Sequence, residues 1–113
     1  MATEQAIEEQ IAAGERIVDL LAREGCDLAS ERLVSHGFIG DGERLADLAR
    51  TLFLLGYRML RTADDSCLAE ALACVDHAWV REVTTEMAAL AEDLGVVYDG
   101  WEAGTDAPVD DPS

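Results

Sequence analysis

Helical and strand-like patterns alternate along this chain, and this alternation limits its fold more than any other feature. Three segments carry apolar residues at helical spacing, and shorter segments rich in valine, isoleucine and aromatic residues separate them. Side chains return to one face about every 3.6 residues in a helix and every second residue in a strand. The 113 residues suffice for one compact domain and not for two. We therefore expect one layer of helices packed on one sheet.

Residues 4–24 carry the first helical pattern. The charged residues of this segment fall largely on the side opposite its apolar stripe. Thr3 can cap the start of the helix, and Gly25 can stop it. The apolar stripe consists of Ile7, Ile11, Gly14, Val18 and Leu21. These features predict an amphipathic N-terminal helix.

A strand and a second helix are predicted next. Residues 32–39 contain β-branched and aromatic residues, and Val34, His36 and Phe38 fall on one face of this first strand. Asp41 is a suitable N-cap for the helix that follows. The buried stripe of that helix is predicted to consist of Leu45, Leu48, Ala49, Leu52 and Leu55.

The middle of the chain allows two interpretations. A second strand is predicted over residues 57–62, and a turn is predicted over residues 63–66. Residues 67–75 (CLAEALACV) are rich in helix formers, and their larger apolar residues have helical spacing. Asp76, however, is a good N-cap for a new helix over residues 77–94, which favours a strand before it.

The order of these elements predicts the fold. Residues 96–98 are predicted to form a short last strand, which Asp99 and Gly100 would close with a turn. If residues 67–75 form a strand, the order after the first helix is β-α-β-β-α-β. That order is a ferredoxin-like split βαβ sandwich of the α+β class, with an antiparallel sheet and an extra N-terminal helix. If they form a helix, only three strands remain; we favour the four-stranded fold.

The charged residues exclude several function classes. All eight cationic residues are arginines, so lysine-based Schiff-base catalysis and a phosphate loop with its lysine are excluded. The formal net charge is −16, which repels phosphate backbones. We therefore expect no direct binding to RNA or DNA.

Targeting signals and cysteine usage indicate a compartment. The N-terminal sequence MATEQAIEEQ lacks the basic and apolar regions of a signal peptide, and no apolar run approaches the ~20 residues that a membrane span needs. The three cysteines are an odd number without a CxxC pair, which fits neither a disulfide framework nor a zinc ribbon. We expect a cytoplasmic protein with one α/β sandwich domain over residues 1–103 and an acidic disordered tail over residues 104–113.

Candidate metal-binding and nucleophilic residues are few. Cys74 and His77 have CxxH spacing, and Cys67 or His36 could complete a site, but a structural zinc site needs a second ligand pair that is missing. No flanking motif supports a cysteine nucleophile. The favoured interpretation is two buried thiols and a surface histidine, with no catalytic residue, metal or cofactor. A small cysteine- or metal-dependent enzyme is the least favoured alternative.

Candidate partner-binding residues come from charge and expected exposure. Residues 76–113 hold one arginine and ten acidic residues, which suits electrostatic attraction of a basic partner. Leu54 falls opposite the buried stripe of its helix. Trp101 follows the last strand and either folds back over the sheet edge or remains exposed as an anchor. The predicted partner-binding residues are Arg50, Leu54, Tyr98, Asp99, Trp101 and Glu102.

Four segments carry a resemblance to a known family. They are IEEQIAAGERIVDLLAREGCD, LVSHGF, FLLGYRM and MAALAEDLGVVYDGW, in this order over about residues 4–102. Together they resemble the regulator of ribonuclease activity B family, small bacterial protein inhibitors of endoribonuclease E. The sharpest match is the last helix that runs into a strand ending in Tyr-Asp-Gly-Trp.

The resemblance implies a function. It implies a non-enzymatic protein that binds endoribonuclease E, chiefly its C-terminal scaffold region, and so reduces RNA cleavage. An acidic protein suits a basic, partly disordered partner segment, because carboxylates bind arginines through charge-assisted hydrogen bonds. The alternative partner is another basic protein. The alternative function is a ferredoxin-like ligand-binding or self-associating regulatory domain, and the sequence leaves the oligomeric state open.

Overall fold

The structure, a computed structural model, describes residues 4–103 and shows helices and strands in alternation. The predicted Thr3 cap and the predicted tail over residues 104–113 lie outside the described residues. In chain order the elements are α1 (Glu4–Arg23), β1 (Glu31–Ile39), α2 (Gly42–Leu54), β2 (Arg58–Ala63), β3 (Ser66–Cys74), α3 (His77–Leu94) and β4 (Val97–Ala103).

The four strands form one antiparallel sheet in the order β2-β3-β1-β4. The predicted α+β class, the antiparallel sheet and the additional N-terminal helix are confirmed. Residues 67–75, which the sequence left ambiguous, belong to β3 up to Cys74. β3 hydrogen-bonds to β1 on one side and to β2 on the other, and this pairing outweighs the helix propensity of its alanines and leucines.

The helices cover one face of the sheet. Along β1 the side chains alternate, so that the predicted row of Val34, His36 and Phe38 is buried while Leu33 and Ile39 are exposed. Two clusters of buried residues form the core on the covered side. One cluster joins α2 and α3 to the sheet, and the other joins α1 to the first turn of α3. The opposite side of the sheet, which we call the open face, is not covered by a helix within residues 4–103.

Capping residues set the bounds of the two later helices. The side chain of Asp41 accepts a hydrogen bond from the backbone N–H of Arg44, and Asp76 accepts one from Trp79, as expected for N-caps. Gly95 ends α3 in the left-handed region at φ +74°. The predicted bounds of α3, residues 77–94, are therefore confirmed.

Two predicted details of the fold are wrong. Leu55 was placed in the buried stripe of α2, but the helix ends at Leu54 and the side chain of Leu55 is 68% exposed. The last strand was expected to end before Asp99, but it continues to Ala103. It continues because Asp99 is accommodated as a bulge, and Gly100, at φ +102°, then returns to register opposite Gly37.

Candidate functional site

A buried histidine forms the polar centre of the core. The Nδ1 atom of His36 is hydrogen-bonded to the hydroxyl of Tyr98 at 2.8 Å, and the ring centroids of Tyr57 and Trp79 lie about 6 Å away. Burial lowers the pKa of His36 from 6.5 to about 4 and raises the pKa of Tyr98 above its usual value. Both side chains are therefore neutral at physiological pH, and their role is to fill and orient the core.

The candidate metal ligands and nucleophiles do not converge. Cys67 is buried on the covered side of the sheet, whereas Cys74 is exposed, so the expected burial of Cys74 is wrong. His77 is exposed as predicted and pairs with Asp19 on α1, with 2.9 Å between its Nε2 and the carboxylate. Among residues 4–103, no group of three or more histidine, cysteine or acidic residues could hold a metal ion.

The open face of the sheet combines exposed apolar residues with a polar row. Leu33 lies opposite Leu72, and both side chains are about half exposed. One row that crosses all four strands is polar, and the Oγ atom of its serine donates a hydrogen bond to the glutamate on β3 at 3.2 Å. That row consists of Arg58, Glu70, Ser35 and Glu102.

Two glycines leave a cavity in the open face, which we call the acidic notch. Gly37 on β1 lies opposite Gly100 on β4, so neither strand places a side chain there. The acidic notch has a volume of about 360 Å³ and is lined by Ser35, Gly37, Leu68, Asp99, Gly100, Trp101 and Glu102. A Cβ atom added at Gly37 would lie 3.6 Å from the Cβ of Asp99, so a larger side chain at Gly37 would project into the cavity.

Three of the predicted partner-binding residues line the acidic notch. Asp99 and Glu102 are exposed and bring two carboxylates to its rim. Trp101 is only half-buried, but it packs against both core clusters and meets Trp79 edge-to-face at 5.0 Å. Its indole thus folds back onto the covered side of the sheet, the first of the two placements that the sequence allowed.

Tyr98 lies inside the protein. Its side chain is 7% exposed, and its hydroxyl is hydrogen-bonded to the Nδ1 atom of His36. Tyr98 therefore supports β4 from beneath and offers no side-chain surface to a partner.

The remaining two predicted residues lie at the end of α2. Leu54 is 77% exposed, which confirms its expected exposure, and Arg50 pairs with Asp47 at 3.1 Å. Phe53 and Leu55 are each 68% exposed as well. We call Phe53, Leu54 and Leu55 the apolar knob. The exposure of Phe53 and Leu55 was not predicted from the sequence. A signal for it exists, because three consecutive large apolar residues before a glycine cannot all face one core.

The structure does not bring the six predicted residues together. α2 packs on β2 and β3 from the covered side, whereas Asp99 and Glu102 lie on the open face of β4, at the other edge of the sheet. Three strand spacings separate β2 from β4, which is about 14 Å. The acidic notch and the apolar knob are therefore separate surfaces.

A larger groove lies between α1 and α3, where they meet the start of β4. It has a volume of about 720 Å³, and its lining is mostly alanine and valine with two glutamates and one glutamine. The amide of Gln10 donates a hydrogen bond at 3.3 Å to the backbone carbonyl of Tyr98 in its floor. We call this cavity, lined by Ala6, Glu9, Gln10, Ala13, Ala88, Ala91, Glu92, Gly95, Val96, Val97 and Tyr98, the helical groove.

The surface of the described residues is strongly anionic. Arg32 is the one charged residue buried among residues 4–103 whose burial is described, so the acidic side chains lie at or near the surface. Carboxylates at the rims of the acidic notch and the helical groove can accept charge-assisted hydrogen bonds from arginine or lysine. Both cavities therefore offer acceptor groups that suit a cationic ligand. Within residues 4–103, no helix is both long and apolar enough to cross a bilayer.

Comparison with known proteins identifies the family. No curated protein matches the chain. The model of the family described as regulator of ribonuclease activity B matches residues 11–103, which is most of the chain and includes every strand and the lining of the acidic notch. The chain therefore belongs to the regulator of ribonuclease activity B family, whose members regulate ribonuclease activity.

Proposed function

We propose that this protein is a non-enzymatic inhibitor of endoribonuclease E that binds the C-terminal scaffold region of the nuclease in the cytoplasm. The observation that carries the proposal is the family match over residues 11–103. Binding to this region reduces RNA decay, either by covering sites that the nuclease needs or by changing the assembly built on its scaffold. No cofactor takes part.

The acidic notch is the proposed docking site for a basic segment of the nuclease. Asp99 and Glu102 provide two carboxylates for an arginine, and Leu68 provides an apolar wall for the methylene stem of its side chain. Arginine is the better fit than lysine, because its planar guanidinium forms two parallel hydrogen bonds with a carboxylate. Since the chain carries a net charge of −16, long-range attraction accelerates the encounter at low salt.

Arg50 and Leu54 form a proposed second contact. Leu54 stands between Phe53 and Leu55 in the chain, and all three residues are largely exposed. Apolar anchors of this kind contribute to affinity after the electrostatic encounter.

A binding assay with charge-matched variants tests the proposal. The purified C-terminal region of endoribonuclease E is titrated into the wild-type protein, the D99N/E102Q variant and the control variant D64N/E24Q, which removes the same charge from exposed positions outside the notch. We expect about tenfold weaker binding for D99N/E102Q and a much smaller change for the control. Absence of wild-type binding at low ionic strength would contradict the proposed function.

A second variant blocks the acidic notch without changing its charge. Gly37→Val places a branched side chain in the cavity, and the neighbouring atoms lie at ordinary contact distances from the new Cβ. We expect the variant to fold and to lose affinity for the nuclease region. Unchanged affinity would contradict the acidic notch as the docking site. It would not contradict the proposed function of the family.

We also propose that the fold is the ferredoxin-like split βαβ sandwich. The support is the strand order β2-β3-β1-β4, with α2 connecting β1 to β2 and α3 connecting β3 to β4. In this arrangement the central strands are β1 and β3, and both connecting helices pack on the covered face.

The second candidate function is self-association. The open face exposes Leu33, Ile39, Leu72 and Val97, and apolar sheet faces of this kind pair in many dimers. Sedimentation velocity distinguishes the two functions. A tight homodimer without affinity for the nuclease would favour self-association.

A further inference from the structure

The helical groove combines an apolar floor with an acidic rim. Ala88 and Ala91 of α3 are buried in its floor, and the small side chains of Ala6 and Ala13 on α1 leave the space between the helices unfilled. Its volume of about 720 Å³ lies within the size range of cavities that bind ligands. Nothing assigned to the acidic notch or to the core accounts for this cavity.

The charges at the groove select a cationic occupant. Glu9 on α1 and Glu92 on α3 place one carboxylate on each helical wall, and none of the lining residues is basic. The nearest cation at the groove is Arg44, whose guanidinium donates a hydrogen bond at 3.4 Å to the backbone carbonyl of Gly95, so two carboxylates face one guanidinium there. An arginine or lysine on either side of an inserted apolar side chain would meet these carboxylates.

The same charges exclude the two nearest alternative occupants. Residues 104–113 carry Asp106, Asp110 and Asp111 and no cation, so the acidic rim repels the end of the chain itself. A second copy of the chain brings a net charge of −16 to the same rim. A basic segment of another protein is left as the occupant that the groove attracts.

The walls of the groove favour a helix over an extended peptide. α1 and α3 use their backbone N–H and C=O groups within each helix, and the Tyr98 carbonyl in the floor is already bonded to Gln10. An extended peptide would leave its own backbone groups without partners at such walls, whereas a helix satisfies them internally. Small residues on both walls also allow a third helix to approach closely.

From these observations we propose that the helical groove binds a cationic amphipathic helix of the partner protein, with small or aliphatic side chains on the alanine floor and arginine or lysine side chains on Glu9 and Glu92. This inference deepens the proposed function and rests on it for the identity of the partner. It adds a third contact surface to the acidic notch and the contact at Arg50 and Leu54, since the groove and the acidic notch lie on different sides of β4.

Charge and shape variants test the groove against matched controls. E9Q/E92Q removes the rim charges, and E24Q/E43Q removes the same charge from exposed positions outside the groove. A13F fills the groove, and A89F adds the same side chain to an exposed position of α3 that does not line it. Circular dichroism and thermal unfolding establish that each variant is folded before binding is measured.

Two probes separate failure of the groove from failure of the proposed function. One probe is the C-terminal region of endoribonuclease E. The other is a fluorescent helical peptide of repeated Leu-Ala-Ala-Arg units, with a proline-interrupted version as its non-helical control. We expect E9Q/E92Q to weaken binding of both probes about tenfold and A13F to abolish it, while the control variants change it less than about twofold.

The outcomes are distinguishable. Equal losses in the rim variant and its charge control would show that only general attraction acts and would overturn the groove proposal. Equal binding of the helical and the proline-interrupted peptide would overturn the helical occupant. If the nuclease region does not bind the wild-type protein but the helical peptide binds in a groove-dependent way, the groove proposal stands and the nuclease is the wrong partner.

Discussion

The buried His36 makes the stability of the protein sensitive to pH in a calculable way. Its side chain is 1% exposed, and burial lowers its pKa to about 4 from an ordinary value of 6.5. Between these two values the unfolded chain binds a proton that the folded protein excludes. The stability that the neutral imidazole contributes is therefore complete above pH 6.5 and is lost as the pH falls toward 4.

The size of the effect follows from the shift in pKa. A shift of about 2.5 units corresponds to about 3 kcal/mol of free energy of unfolding over the whole interval, and about 2 kcal/mol of this is lost by pH 5. A domain of this size is stable by about 5–15 kcal/mol, so the loss is readily measured.

A comparison with His36→Gln isolates the histidine from the carboxylates. Glutamine keeps a polar group near Tyr98 and does not titrate. Urea unfolding of both proteins at pH 7.5 and pH 5 gives four free energies of unfolding. We expect the wild-type protein to lose about 2 kcal/mol more than H36Q between the two pH values, and identical pH dependence of the two proteins would refute the reasoning.

A second variant tests the hydrogen bond that holds the ring. Tyr98→Phe removes the hydroxyl 2.8 Å from the Nδ1 of His36 and leaves a buried nitrogen without this partner. The expected cost is about 1–3 kcal/mol at pH 7.5. A variant as stable as the wild-type protein would mean that the imidazole finds another partner.

The remaining predictions concern packing and the contact surfaces. Gly40→Ala should lower the free energy of unfolding by about 1–3 kcal/mol, because the new Cβ would lie 2.7 Å from a methyl carbon of Val96. Gly42→Ala, whose nearest neighbour is 3.4 Å away, should change stability by less than about 0.5 kcal/mol in the same urea assay. Leu54→Ser should leave the melting temperature unchanged, since Leu54 is 77% exposed, but should weaken binding of the nuclease region in a titration. The affinity of the wild-type protein should fall as sodium chloride is raised, and an affinity independent of salt would contradict electrostatic recognition.

Helix positions were predictable because their signals are local. Asp76 and Gly95 mark the two ends of α3 in the sequence, and the structure uses both as caps. The buried face of β1 was predictable for the same reason. Strict alternation of side chains from Val34 to Phe38 means that only one face of the strand can be buried.

The length of the last strand could not be predicted from local signals. Asp99 and Gly100 have turn chemistry, but β1 continues alongside them and supplies hydrogen-bonding partners from Gly37 back to Val34. Long-range pairing thus converts a local turn signal into a bulge within β4. The acidic notch depends on this bulge and on a glycine more than 60 positions earlier, so no pattern within either segment reveals it.

The helical groove was hidden from the sequence for a related reason. Its floor consists of alanines on two helices that are distant in the chain, and alanine carries little signal in a periodicity analysis. The acidic residues around it looked like an ordinary solvated face until the antiparallel packing of α1 and α3 placed Glu9 and Glu92 on the walls of one cavity.

β4 connects two of the proposed contact surfaces, the helical groove and the acidic notch, and this makes their joint use testable. Val97 and Tyr98 line the helical groove, and the next residue, Asp99, lines the acidic notch. If one partner chain occupies both cavities at once, D99N/E102Q and E9Q/E92Q each lower the affinity on their own. The quadruple variant then loses the sum of the two binding free energies. If either cavity suffices alone, each double substitution has little effect and only the quadruple variant loses affinity. We expect the first result, because a basic chain that crosses the edge of β4 gains from both cavities at little additional entropic cost.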